Sequence, residues 1–153
     1  MQDSPTFRTF EDLEVYQVAR EFRKEMYKVG RRLPDFERFG LADQIRRAAL
    51  SVTSNIAEGH GRHHYLDQLR FLVLSRGSVE ELIDHLNACL DEKYLTAEEI
   101  GSLKELAWRV HKLINGNGRY LRQRKRGESA ELRESEELYS LDHEGGPAAN
   151  LSS

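Results

Sequence analysis

Residues 35–146 contain no proline, and a stretch of that length without a helix breaker rules out few architectures but favours one. Leucine occurs 20 times, against 12 for valine and isoleucine together. Few β-branched and many γ-branched or unbranched side chains favour helices over strands. The chain is therefore expected to be all-α.

Apolar spacing divides it into four segments. Val15, Ala19, Phe22, Met26, Val29 and Leu33 step by four and three, one face of a helix in the seam pattern of a bundle. Thr9 and Asp12 form a capping start and Pro34 closes the segment. Leu41, Ile45, Ala48, Val52 and Ile56 repeat the pattern, and Gly59 and Gly61 are expected to end that helix in the left-handed conformation. A third helix is expected from about His64 to Lys93, burying Leu69, Leu72, Val79, Ile83, Leu86 and Leu90. Gly77 in its middle costs helix stability, and close approach of a neighbouring helix is the usual reason for such a residue. The fourth opens with a capping box, Thr96 to Glu99, and carries Ile100, Leu103, Ala107, Val110, Ile114 and Leu121 on one face. Gly116 and Gly118 weaken its last turns. Four helices joined by short loops predict an antiparallel up-down four-helix bundle.

The charge is unevenly placed. Residues 1–126 carry 22 basic against 19 acidic side chains, whereas residues 127–153 carry Arg133 against seven acids. A mildly basic body thus bears an acidic tail. The expected organisation is an N-terminal extension over 1–9, a helical domain over 10–122, and a basic-then-acidic, mostly disordered tail over 123–153. No apolar run is long enough to span a membrane, and Met1 to Pro5 does not read as a secretory start, so a cytoplasmic protein is expected. Cys89, the single cysteine, excludes an internal disulfide framework and a cysteine-based zinc site.

Residues 44–62 read QIRRAALSVTSNIAEGHGR. This segment closely resembles the signature of a bacterial family, the 23S rRNA-intervening sequence proteins, some of which are encoded within intervening sequences of 23S ribosomal RNA genes. The resemblance extends over roughly residues 7–122, through Phe10 to Val15, Phe39 to Leu41, Gly77-Ser78, Glu81-Leu82 and Tyr94-Leu95. It implies an up-down four-helix bundle assembled into a ring-shaped homopentamer. A related branch, the accessory protein of diversity-generating retroelements, binds a reverse transcriptase and nucleic acid. Two positions depart from the pattern. Thr53 stands where the family often has proline, so no kink is expected in the second helix, and His64, a poor cap, stands where the family tends to place serine.

Three groups of side chains have chemistry to offer. Arg46, Arg47, Arg62, Arg119, Arg122, Arg124, Lys125 and Arg126 could contact phosphates, a field that each copy in a ring would multiply. Arg46, Arg47 and Arg76 could instead pair with neighbouring acids, and the tail could cover the 119–126 cluster. Ser54, Asn55 and Glu58 read as a structural polar network that fixes helix pairing, since no activated nucleophile with its base lies nearby. His60, His63 and His64 with Glu58 could hold a metal, but they straddle a glycine-containing turn and the Glu-x-x-His bundle signature is absent; neither metal nor cofactor is expected. There is no phosphate-cradling glycine loop or triad, so no enzyme is expected. Two functions remain: a homo-oligomer that binds RNA or another nucleic acid through basic residues, or a scaffold for a partner protein. No aromatic stacking platform is visible. Phe36, Phe39, Tyr65, Phe71 and Leu74 fall off the core stripes and are candidates for a second, intersubunit apolar face.

Overall fold

The computed structural model describes residues 9–143. They form four α-helices, α1 (Glu14–Arg32), α2 (Leu41–His60), α3 (Tyr65–Asp91) and α4 (Ala97–His143), with 3-10 turns at Phe10–Asp12 and Asp35–Glu37. There is no strand among the described residues, and none of these helices is long and apolar enough to cross a membrane. The chain divides into two compact units, one ending at Arg119 and the other beginning at Tyr120.

In the first unit one core draws on all four helices. Val15, Val18, Ala19, Phe22, Met26 and Val29 come from α1, and Ile45, Ala48, Ala49, Val52 and Ile56 from α2. Val79, Leu82, Leu86 and Cys89 come from α3, and Ile100, Ala107, Val110 and Ile114 from α4. Each fully buried large side chain contributes about 1.5–3 kcal/mol. On α3 the buried stripe runs through Ser75, Ser78, Val79, Leu82, Leu86 and Cys89, whereas Leu69, Leu72 and Ile83 are half-buried and Leu90 is exposed. The expected stripe is thus rotated toward small and polar residues, because α3 meets α2 through hydroxyls rather than leucines.

Local chemistry sets the element boundaries. The Thr9–Asp12 capping box is present but serves the 3-10 turn; α1 starts after Leu13. The α2 N-terminus is capped from outside, the Leu41 N–H donating to the Glu37 carboxylate at 3.1 Å. Helix α2 runs unbroken through Thr53. Gly59 lies inside it and is buried, while Gly61 ends it at φ −78°, a right-handed rather than the expected left-handed cap. His64 caps α3 with no side-chain hydrogen bond. The left-handed residue is Lys93 at φ 59°, after α3, where the Tyr94 N–H reaches back to the Cys89 carbonyl at 2.8 Å. At the start of α4 the Thr96–Glu99 box closes reciprocally at 2.9 and 3.2 Å. Glu99 also accepts from Arg32 at 2.8 Å. That bond, and then the Thr96 N–H, hold its carboxyl below the ordinary value.

Helix α4 continues past Gly116, Gly118 and Gly127 to His143, so residues 127–143 are helical where disorder is expected. The Arg124–Glu128 pair at 3.2 Å and the Ser129 hydroxyl on the Lys125 carbonyl support these turns locally. The expected extension over residues 1–8 and the end of the tail from 144 lie outside the described residues.

Candidate nucleic-acid interface

The signature segment is a packing device. Asn55 donates to the Ser51 hydroxyl at 2.9 Å and to the Ser51 carbonyl at 2.8 Å. The Ser51 and Ser78 hydroxyls lie 2.7 Å apart, and Ser78 donates to the Leu74 carbonyl at 3.2 Å. Either hydroxyl can donate across the Ser51–Ser78 contact, and when Ser78 donates to Leu74 it is Ser51 that donates to Ser78. The result is a connected chain of hydrogen bonds from Asn55 to α3, of the kind that strengthens cooperatively at a protected seam. One turn away, the buried Ser75 hydroxyl donates to the Val52 carbonyl at 2.7 Å. At the far end a Cβ on Gly59 would lie 2.8 Å from the Phe71 Cβ, so α2 meets the Phe71 side chain of α3 there with bare backbone. Thr53 ties α2 to α1, accepting from Arg23 at 2.9 Å and donating to the Leu50 carbonyl. Of the three residues expected to form a polar network, Asn55 does so. Ser54 is exposed, and Glu58 is exposed and paired with Arg62 at 2.8 Å; the network's other members are Ser51 and Ser78.

Within the first unit Arg46 and Arg47 do not form one patch with Arg62. Arg46 and Arg47 share Asp43, at 3.4 and 2.8 Å, and Arg46 also donates to the Arg38 carbonyl. Arg62 lies past the other end of α2, about 20 Å away by helix rise. There its guanidinium sits 4.9 Å above the Phe71 ring while pairing with Glu58. Arg76 donates to Asn115 on α4 at 3.0 Å, an internal bond. Arg119 is exposed. In the second unit Arg122, Arg124, Lys125 and Arg126 are all exposed, and Arg124 pairs with Glu128. Four residues apart, Arg122 and Arg126 share a face, whereas Arg124 falls on roughly the opposite side of the helix. Arg122, Lys125 and Arg126 thus fall within about 100° on one face, and Arg124 stands alone on the other.

A basic line that the sequence reading missed lies on α1. Arg20, Lys24, Lys28 and Arg31 are exposed and fall within one arc of the helix, spaced by four, four and three residues. Lys28 pairs with Glu25 at 2.9 Å. Arg20, Lys24 and Arg31 have no hydrogen bond or ion pair among the described residues. The flank with Glu14 and Arg32 faces α4, through Arg109 and Glu99, and holds Glu21 and Glu25. The other flank, with Arg23, faces α2. Near the C-terminal end of α1, on its α2-facing side, Arg46 packs its stem on Gly30, its Cγ 3.8 Å from where a Gly30 Cβ would stand. Beyond it Phe39 is 86% exposed, with the Arg38 guanidinium 5.3 Å above its ring. The cations are diluted along α1 and make no run in the sequence; only helical periodicity brings them together.

His60, His63 and His64 are all exposed on the α2–α3 turn. His85 and His111 are half-buried, near Glu81 and Glu80 at 3.2 and 3.1 Å. Phe36 and Leu74 are exposed as expected of an outward apolar face, but Tyr65 and Phe71 are half-buried, Phe71 being held under Arg62.

The sequence profile of the 23S rRNA-intervening sequence protein family matches residues 11–116. The chain belongs to that family. A solved structure from Bacteroides thetaiotaomicron, described as a protein of unknown function from the S23 ribosomal protein family, is similar at 21% identity with a TM-score of 0.64. The match covers 69% of this chain and 95% of that one, and it supports the fold. No curated protein matches. The family profile ends at residue 116, so the basic and acidic segments that follow belong to this chain rather than to the matched pattern.

Proposed function

We propose that this family member is a non-catalytic, RNA-associated four-helix bundle that works as a homo-oligomer. The observation that carries the reading is the set of exposed cations without partners among the described residues, Arg20, Lys24, Arg31, Arg122, Lys125 and Arg126, on a protein whose Asn55, Ser51, Ser75 and Ser78 make internal contacts. Such groups suit phosphate contacts, which need charge and access but no pocket. The family's name and the S23 ribosomal description of the solved relative point the same way. Self-association draws support from Val73 and Leu74 on α3 and Leu50 on α2, exposed large apolar residues within two turns of the Ser51–Ser78 crossing, and from Leu66 at the start of α3. The ring-shaped homopentamer that the family resemblance implies is the assembly proposed for them.

RNA binding by the intact protein across a salt series tests the reading. Affinity should fall steeply, with about 0.7–0.9 of log-log slope for each phosphate contacted. No binding at low salt overturns it and favours a scaffold for a partner protein, a reading to which the exposed Phe36 and Phe39 lend weight.

A further inference from the structure

We infer that the outer face of α1, continued by Arg46 and Phe39 beyond its C-terminal end, is a track for single-stranded RNA, Arg20, Lys24 and Arg31 taking phosphates and Phe39 stacking on a base. The inference rests on the RNA-associated reading above and gives it a site.

Four observations carry it. The first is that three of the four α1 cations have no partner among the described residues, so they lose no ion pair there on meeting a phosphate. Their order is fixed as well. α1 is anchored on one flank by Arg23 on Thr53 and on the other by Arg32 on Glu99, so the line between them faces outward over about 16 Å. Third, the acids of the segment are set aside, with Glu21 and Glu25 on the α4-facing flank and Glu25 held by Lys28. Finally, the connection that follows the C-terminal end of α1 carries an exposed aromatic ring. Phe39 is 86% exposed and follows Arg38, whose carbonyl accepts from Arg46 and whose guanidinium lies 5.3 Å over one face of the ring, and an exposed ring among cations is how sequence-tolerant single-strand sites hold bases. A duplex fits the arrangement less well, because its bases are already stacked and leave Phe39 nothing to cover.

Charge and stacking give separable signatures. The probe is a fluorescein-labelled oligouridine titrated by anisotropy against the full-length protein over a salt series. Replacing Arg20, Lys24 and Arg31 together by alanine should flatten the log-log slope by about 2, three contacts at about 0.7 each, and weaken binding roughly a hundredfold near 0.1 M salt. The charge-conserving R20K/R31K protein should bind like the wild type, because phosphates read charge here. Phe39→Ala should weaken binding about 5- to 100-fold with the slope unchanged, since stacking releases no counterions. All these side chains are exposed, and circular dichroism should show each variant folded.

An unchanged slope in the triple-alanine protein, with wild-type binding intact, overturns the α1 track and leaves the RNA-associated reading standing on α4. Absence of wild-type binding at low salt overturns both. A Phe39→Ala protein that keeps full affinity but has a reduced mass by light scattering assigns the ring to self-association and overturns the stacking half of the inference.

Discussion

At the scale of single residues, the most informative side chains are those with chemistry that the fold suppresses. Cys89 is the example. Burial in the core, and secondarily the nearby Glu37 carboxylate, push its thiol from an ordinary 9.0 up to about 11. The neutral form is thus favoured when folded. Below about pH 9 the thiol is protonated in both states and its contribution to stability is complete; above that the unfolded thiol ionises first, so the contribution is lost as the pH rises toward about 11. Wild-type protein should therefore lose stability to urea over that window more steeply than Cys89→Ala. Equal pH profiles would remove the thiol from the argument, leaving the slope to Tyr94, which burial also pushes upward. The same suppression governs the signature. Asn55 spends its amide N–H donors on Ser51, and Ser75 spends its proton on Val52, so neither offers a donor to a ligand.

At the scale of helices, two glycines make opposite predictions. Gly59 is where α2 and α3 meet, and a Cβ there would stand 2.8 Å from the Phe71 Cβ, which backbone movement alone can relieve. Overpacking of that kind costs about 1–3 kcal/mol. Gly59 lies one residue from the helix end, where little propensity is recovered, so Gly59→Ala should lower the denaturant midpoint. Gly77 sits mid-helix, exposed, with nothing within 4 Å of its would-be Cβ. Within one chain, then, the close neighbour expected from the sequence does not exist. Gly77→Ala should stabilise the isolated fold by about 0.5–1 kcal/mol. If a second copy packs on this face, as proposed, the same change should lower the mass by light scattering while raising the melting temperature. A rise in both would place the interface elsewhere. These glycines also show what was legible. Periodicity marks the α1 and α2 stripes correctly, because aliphatic residues at steps of three and four point one way. It misplaces the α3 stripe because Ser75 and Ser78 are buried by hydrogen bonds that no hydrophobic pattern records. It finds cations where they cluster in sequence, at 119–126, and misses α1, where the helix does the clustering.

At the scale of the whole molecule, the balance of charge becomes a quantity to test. Residues 1–126 are net basic and residues 127–153 net acidic, so a polyanion approaching the protein meets two fields of opposite sign. Glu128, Glu131 and Glu134 are exposed and follow directly on Arg122, Lys125 and Arg126 in helix α4. Through space they oppose any phosphate drawn to those cations. Replacing the three glutamates by glutamine keeps the length and helix propensity of the segment and removes three negative charges. RNA affinity near 0.1 M salt should then rise several-fold, mainly through faster association. Because the Debye length shrinks from about 10 Å at 0.1 M to about 3 Å at 1 M, the gain should vanish as salt is added. A gain that persists at high salt would mean that the glutamates act by direct contact rather than by field. No gain at any salt would free the acidic segment from a part in RNA binding and leave Arg122, Lys125 and Arg126 unopposed as they stand.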